Sequence, residues 1–346
     1  MIFLEVFNRP ILRSIFIGLY FFVGWFSADI TYGLRQLSGQ IHVLANAEPI
    51  ELFLEKPDFP EELKQKIRFV QDVRKFAVAE LDMTDTDNYT TLYDQKDEAI
   101  LWVVTAAPEF SLEAYQWSFP FAGSFPYKGF FKKELVKAEA NKMKRLGYDV
   151  EIDDVSAWST LGWFSDPILS NNLKRGNGSL ANLIIHELTH ATIYVKDSAE
   201  MNENLASFIG HRGAIEFRSA YPGGDSMLLY YKNNRSDVQL YKAYMNGSIE
   251  KLSNFYENNH ETIEIKRTQK SELIQEIRNG LNSVNFSNPK AFKSMKDGSY
   301  PLNNAYFSGF NTYNKQQSNF EERLEKEYNN DLKAFLNYFK QKYPTL

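Results

Sequence analysis

His186-Glu187-Leu188-Thr189-His190 places two imidazoles four residues apart with a carboxylate directly after the first. On a helix, positions i and i+4 are neighbours with Cβ atoms about 5–6 Å apart, so both rings can offer a nitrogen to one Zn²⁺. Glu187 then stands beside the coordination position left for water. A carboxylate there can take a proton from a water whose pKa the metal lowers to about 7, and later deliver it to a leaving amine. The spacing predicts a helix across this stretch, with His186 and His190 as metal ligands and Glu187 as general acid/base. Ser179 is the expected N-cap. Ile184, Leu188, Ala191 and Val195 are the expected apolar stripe, on a face different from the one the two His share. The plain alternative is two ordinary helix histidines beside a solvated glutamate.

Catalytic zinc takes three protein ligands and keeps a fourth position for water. A metzincin arrangement would need glycine at position 193 and histidine at position 196, where the chain has Ile193 and Lys196. After a short polar break at Lys196-Asp197-Ser198, residues Ser198 to Gly210 read as a second helix whose first turns could come back toward His190. Within it, Asn202-Glu203-x-x-Ala206 resembles the Asn-Glu-x-x-Ala/Ser third-ligand motif of the gluzincins, the thermolysin-like and aminopeptidase-like zinc peptidases. The resemblance implies Glu203 as the third ligand. Two departures stand out: the interval from His190 to Glu203 is shorter than in thermolysin, and Ser207 occupies the place of the Asp that orients a zinc His there. That orientation then falls to another partner. Glu200 is the rival ligand, three residues before Glu203 on nearly the same face, with a solvated first-turn carboxylate as its plain reading. His211 is either a donor supporting the site or an ordinary residue on a helix flank.

A wider resemblance emerges from the flanks. Trp158 to Leu169, Leu180 to Tyr194 and Asn202 to Gly210 together resemble a bacterial family described as putative aminopeptidases, with a gluzincin-type site. Trp117 to Phe131, Gln36-x-x-Gly39-Gln40 and Asn303-Asn304-Ala305 resemble it too, so the likeness runs over most of the chain from about Gln36. It implies an α+β fold with a gluzincin-like zinc peptidase core and a mainly helical C-terminal region, Zn²⁺ as cofactor, a peptide substrate, and action at peptide N-termini. No Gly-Ala-Met-Glu-Asn exopeptidase signature occurs, so an endopeptidase acting on envelope proteins is the close alternative. An inactive zinc-binding interaction module is a third reading, against which the intact Glu187 speaks. Gluzincins set an edge strand beside the zinc for the substrate to pair with. Either Ser156 to Phe164 or Phe119 to Phe131 can be that strand, and an aromatic core hairpin is the alternative for both. Tyr127, Tyr221 and Tyr230 are conceivable donors to a tetrahedral oxyanion.

The N-terminus bears on where the chemistry happens. Arg9 and Arg13 precede an uncharged run from Ser14 to Ala28, the pattern of an export signal, but small residues are badly placed for cleavage after it. The expectation is an uncleaved anchor over 1–29, a partner membrane, and an exported, outward-facing enzyme in the cell envelope. With 0 Cys, lipid attachment at a cysteine is excluded and the redox compartment is left open. A net charge of −5 with no concentrated basic stripe argues against nucleic acid as a partner. Oligomeric state is not legible.

Across 346 residues with 43% apolar content, the chain can bury a sizeable core. The expected division is a catalytic domain over 30–235 and a helical region over 236–346 packed on it. Glu61 to Leu81 reads as a helix burying Leu63, Ile67, Val70, Val73, Ala77 and Leu81. Ala99 to Thr105 reads as a buried strand that turns at Ala107-Pro108. Phe130 to Leu146 reads as a helix stopped by Gly147. Tyr148, Val150 and Ile152 alternate with Asp149 and Glu151, as in a half-buried strand. Farther on, Phe320-x-x-x-Leu324 and Phe335-x-x-Tyr338-Phe339 give helical apolar steps.

Overall fold

The computed structural model describes residues 30–119, 123–154, 165–196, 198–220, 224–314 and 320–343. Its order begins with a helix over 30–45 (α1), a two-residue strand Glu48–Pro49 (β1) and a short helix Ile50–Glu55 (α2). Next come the helix Glu61–Ala79 (α3) and the strands Thr91–Tyr93 (β2), Trp102–Pro108 (β3), Trp117–Phe119 (β4), Gly123–Phe125 (β5) and Lys128–Phe130 (β6). Lys133–Arg145 (α4), Tyr148–Asp154 (β7) and Ile168–Leu169 (β8) lead to Asn177–His190 (α5) and Ala199–Ala220 (α6). The remainder is helical: Gly224–Asn258 (α7), which runs unbroken through positions 235 and 236, Ile263–Gly280 (α8), Lys293–Asp297 (α9), Asn304–Asn314 (α10), Phe320–Tyr328 (α11) and Leu332–Lys342 (α12).

The class is thus mixed α+β, mainly helical with small sheets. One sheet has the order β6-β3-β7, antiparallel throughout; another has β1-β2-β8, with Leu92 and Tyr93 running parallel to Ile168 and Leu169; β4 and β5 make a hairpin. The largest core is built around α5. Leu180, Ala181, Ile184, Ile185 and Leu188 pack with Ile67, Val70, Val73 and Ala77 of α3 and with Leu205, Ile209 and Phe217 of α6. Phe320, Leu324, Phe335 and Phe339 of the α11–α12 pair close the same core, so the end of the chain supports the helix that carries the two His. Full burial of each such side chain contributes about 1.5–3 kcal/mol, an area term that holds α5 in place far better than local propensity does. A separate core joins α7, α8 and Phe307 of α10, and a third sits between the β6-β3-β7 sheet and α4.

Several expectations shift. Helix α3 ends at Ala79, with Leu81 buried just beyond it. Helix α5 begins at Asn177 with Gly176 as its N-cap, so Ser179 lies inside the first turn. Lys66 fixes that start by donating to Arg175 O at 2.8 Å and to Asn177 Oδ1 at 2.5 Å. The helix stops at His190, which leaves Ala191 and Val195 outside the predicted stripe; Leu180, Ala181 and Ile185 take their place beside Ile184 and Leu188. Strand β3 lies three residues later than the apolar run suggests and extends through Pro108, because its partner β7 pairs it as far as Tyr148. Phe130 belongs to β6, paired with Trp102, and α4 therefore starts at Lys133; Gly147, at φ +86°, ends it as expected.

Strand β7 differs most in character. Val150 faces the core, yet Ile152 is exposed, whereas Asp149 and Glu151 are covered by the C-terminal helices. Asp149 Oδ2 accepts from Lys270 Nζ at 2.7 Å and from Asn304 N at 3.0 Å, and Glu151 accepts from the Tyr300 hydroxyl. The second face of the strand meets a polar partner where the alternation suggested water. The stretch Ser156 to Phe164, one of the two candidate edge strands, lies outside the described residues; the other, Phe119 to Phe131, holds the last residue of β4 together with β5 and β6, and its residues 120–122 are outside the described ones.

Candidate metal centre

Helices α5 and α6 make the most extensive helix contact of the described residues, and small side chains allow it. A Cβ on Gly210 would lie 2.6 Å from Asn182 Oδ1, 2.9 Å from the Asn182 carbonyl oxygen and 3.0 Å from His186 Cβ. The absence of a side chain there lets the backbone of α6 rest against the turn of α5 that bears His186. The link between the helices is fixed by Asn202, whose carboxamide binds Val195 at both ends: Val195 N donates to Oδ1 at 2.8 Å and Nδ2 donates to Val195 O at 2.9 Å. Thr192, buried just past α5, accepts from Thr84 N at 3.1 Å and donates to Leu188 O at 2.7 Å. These contacts end α5 at His190 and turn the chain so that the first turns of α6 come back beside it.

The outcome is a triangle. His186 Nε2 and His190 Nε2 are 3.2 Å apart, and the two Glu203 oxygens each stand 3.5 Å from one of them. At 3.5 Å a carboxylate is at the outer edge of hydrogen bonding, and 2.7–3.2 Å would be expected of partners bonded to each other. Three donors arranged about a common point fit better. A tetrahedral zinc ion with bonds of about 2.0–2.2 Å spaces its N and O ligands about 3.3–3.5 Å apart, close to the separation of the two imidazole nitrogens and to each imidazole–carboxylate contact, although those two contacts end on different Glu203 oxygens. The rings meet nearly edge to face, at an interplanar angle of 81°, which aims both nitrogens into the gap.

Protonation agrees with that fit. Burial, and then the neighbouring His186, pushes His190 below its ordinary value, so its imidazole is neutral near pH 7 with a lone pair to give. The nearby His186, and against the opposing effect of burial also His190, hold the Glu203 carboxyl below the usual range, so it is ionised. Neutral imidazole and carboxylate are the forms a divalent ion requires. The His190 side chain is 7% exposed and that of Glu203 58%, so the triangle opens to solvent on the Glu203 side.

Glu187 joins the cluster: ligand-type atoms of His186, Glu187 and His190 all lie within 4.8 Å of one another. Tyr89, which the sequence did not bring forward, is buried close to Glu187. Burial and the negative charges of Glu187 and Asp166 push its phenol well above its ordinary range and keep it protonated. The Tyr89 backbone is held in a left-handed conformation, φ +61°, with its N–H donating to Asp166 O at 2.8 Å. Such conformations in a bulky residue cost about 1–3 kcal/mol and persist only where the surroundings enforce them.

Of the proposed oxyanion donors, Tyr127 lies between β5 and β6 near Glu203. Burial, and after it the charge of Glu203, raises its phenol above the ordinary value. Tyr221 and the side chain of Tyr230 fall outside the described residues, as does the side chain of Glu200, the rival ligand in the first turn of α6. His211 is buried on α6; desolvation and the nearby Arg235 and Arg212 push it down to about 3, so it is a neutral ring at any physiological pH. The clamping role of Asn202 and the close approach at Gly210 also went unassigned from sequence. A glycine inside an otherwise helical pattern was the available signal for the second.

Comparison with known proteins adds one match. A family model described as "Putative aminopeptidase" matches residues 31–343. Searches of the curated proteins and of the solved structures returned no match.

Proposed function

The chain belongs to the putative aminopeptidase family, and from that premise we propose that it is a zinc-dependent peptidase of gluzincin type, cleaving residues from peptide N-termini. The observation that supports this reading is the cluster of His186, Glu187 and His190, whose imidazole nitrogens are 3.2 Å apart, with a Glu203 oxygen 3.5 Å from each of them. What a bound zinc ion contributes is Lewis acidity, toward a carbonyl oxygen and toward a water.

The protein groups supply the rest. His186 and His190 would hold the ion through their ring nitrogens, and the ionised Glu203 would complete the set while leaving the solvent side open. Glu187 takes the proton of the attacking water and delivers it to the departing amine, so one carboxylate serves as base and then as acid. Tyr127, protonated and close to Glu203, can donate to the oxygen on which charge develops.

The test compares wild type, Glu187→Gln and Glu203→Ala for zinc content and for hydrolysis of peptides with free and with acetylated N-termini. Wild type and Glu187→Gln are expected to carry one zinc per chain, Glu203→Ala much less, and only wild type to cleave, with free N-termini preferred. Equal cleavage by wild type and Glu187→Gln defeats the mechanism. Cleavage of acetylated peptides at internal bonds replaces the exopeptidase reading with an endopeptidase.

A further inference from the structure

Helix α1 carries an aliphatic stripe on its outward face in addition to the face that binds the protein. Its inward face is Tyr32, Gln36, Gly39 and Val43, at steps of four, three and four. The Tyr32 hydroxyl donates to Gly129 O at 3.0 Å, Gln36 Nε2 donates to the same oxygen at 2.8 Å, and Tyr32 stacks on Phe119 at 5.0 Å. Gly39 admits the Phe131 ring, which would lie 2.3 Å from a Cβ placed there. The opposite face repeats the same steps two residues earlier with Ile30, Leu34, Leu37 and Ile41, which are 42%, 62%, 50% and 54% exposed. A surface helix ordinarily turns its apolar stripe inward. Here Tyr32, Gln36, Gly39 and the buried Val43 bind the protein, and a second stripe of four aliphatic residues faces out.

Two observations bear on what covers the stripe. It spans about 17 Å along the helix and exposes on the order of 400 Å² of side chain, half or less of the roughly 800 Å² each partner gives to a stable protein interface. It also begins two residues after Ala28, the end of the uncharged run Ser14 to Ala28, and from 30 to 45 the chain carries a single fully charged side chain, Arg35. A stripe of this size, continuous in sequence with an apolar run, matches a helix lying in a lipid–water interface.

We propose that the Ile30-Leu34-Leu37-Ile41 face of α1 lies in the headgroup layer of a phospholipid bilayer. This inference goes beyond the peptidase reading and stands without it. Because α1 grips Gly129 of β6, two residues from Tyr127 near Glu203, the docked helix also fixes how the metal site is presented relative to the lipid surface.

The absence of cysteine makes the full chain a ready background for single labels. Leu37→Cys and, as reference, Lys326→Cys on α11 are labelled with an environment-sensitive fluorophore. Each protein is reconstituted with phosphatidylethanolamine–phosphatidylglycerol vesicles, with and without lipids carrying a nitroxide near the headgroup. The expected result is a blue-shifted Leu37 signal that falls at least twofold with nitroxide lipid, while the Lys326 signal is unchanged and remains open to aqueous iodide. Equal iodide access at both positions on vesicle-bound protein overturns the proposal, as does failure of the chain to float with vesicles. A Leu37 label that is shielded without lipid quenching, together with Leu37→Cys chains that join as disulfide dimers, assigns the face to a second copy and overturns it too.

Discussion

Asn202 and Val195 are joined at both ends of a carboxamide, donor to carbonyl at 2.9 Å and acceptor to amide at 2.8 Å, so the residue before Glu203 is tied to the turn that follows His190. Asn202 is buried, and each lost bond leaves a backbone group without its partner. Asn202→Asp keeps the size and the acceptor but sets an oxygen against the Val195 carbonyl. The expected outcome is zinc affinity lower by about 10–100-fold, as for other residues that orient ligands, with a stability loss of about 1–3 kcal/mol. Competition with a zinc chelator measures the first and urea unfolding of the apoprotein the second; unchanged affinity would show that the turn is held without Asn202.

Gly210 sets the distance between the two ligand-bearing helices. In Gly210→Ala the new methyl meets the Asn182 carbonyl at 2.9 Å and His186 Cβ at 3.0 Å, and neither is the end of a flexible side chain. The helices must separate, which moves His186 against Glu203. Overpacking of this kind costs about 1–3 kcal/mol. A lowered Tm together with weaker zinc retention is expected. A loss of Tm with full zinc retention would place the strain elsewhere than at His186.

How much of this was legible depends on the range of the interaction that carries it. That the two imidazoles would be neighbours was readable because i,i+4 geometry is local to one helix, and the approach of Glu203 to them was suggested by a motif that resembles a known one. The Asp149 and Glu151 contacts were not, since alternation along β7 is the same whether its second face meets water or a helix 120 residues farther on. Lys270, Tyr300 and Asn304 supply that partner, and nothing near β7 in sequence announces them. Helix α1 drew notice only for Gln36-x-x-Gly39-Gln40, and its contacts through Tyr32 and Gln36 to Gly129, more than 90 residues away, leave no local trace. Gly210 and Asn202 act through backbone proximity, which residue type suggests but does not locate.

Tyr127 stands near Glu203 on the open side of the triangle, and its raised pKa keeps the phenol protonated through neutral pH. If it donates to the developing oxyanion, the bond matters in the transition state and little in binding. Tyr127→Phe is then expected to lower kcat by about 10–100-fold, toward the smaller effects of removing one such donor from a solvent-accessible site, with KM within about twofold. Steady-state kinetics on one unblocked peptide decide it. A rise in KM at constant kcat would make Tyr127 a substrate-binding residue.

Glu151 couples the sheet to the C-terminal helices. Burial pushes its carboxyl up to about 7, the Tyr300 hydrogen bond acts against that, and Asp153 adds to it. Around it stand the Tyr241–Tyr306 hydroxyl pair, 2.5 Å apart, and Arg278, which donates to Met295 O at 2.6 Å and Tyr300 O at 3.1 Å. With the folded value above the unfolded value of 4.5, the native protein keeps a proton that the unfolded chain has released throughout the window between them. Stability from this group therefore falls as pH rises from about 4.5 to about 7 and is level above that. Glu151→Gln preserves an acceptor for Tyr300 and removes the charge. Relative to wild type, the variant should gain about 1–3 kcal/mol at pH 8 and little at pH 4.5, the full shift being discounted for partial solvent access. Urea unfolding of both proteins at the two pH values gives the difference directly, and comparing them at each pH cancels every other titrating group. A variant that tracks wild type at both pH values would mean that Glu151 ionises as freely folded as unfolded, and that the polar seam between β7 and the helices is wet.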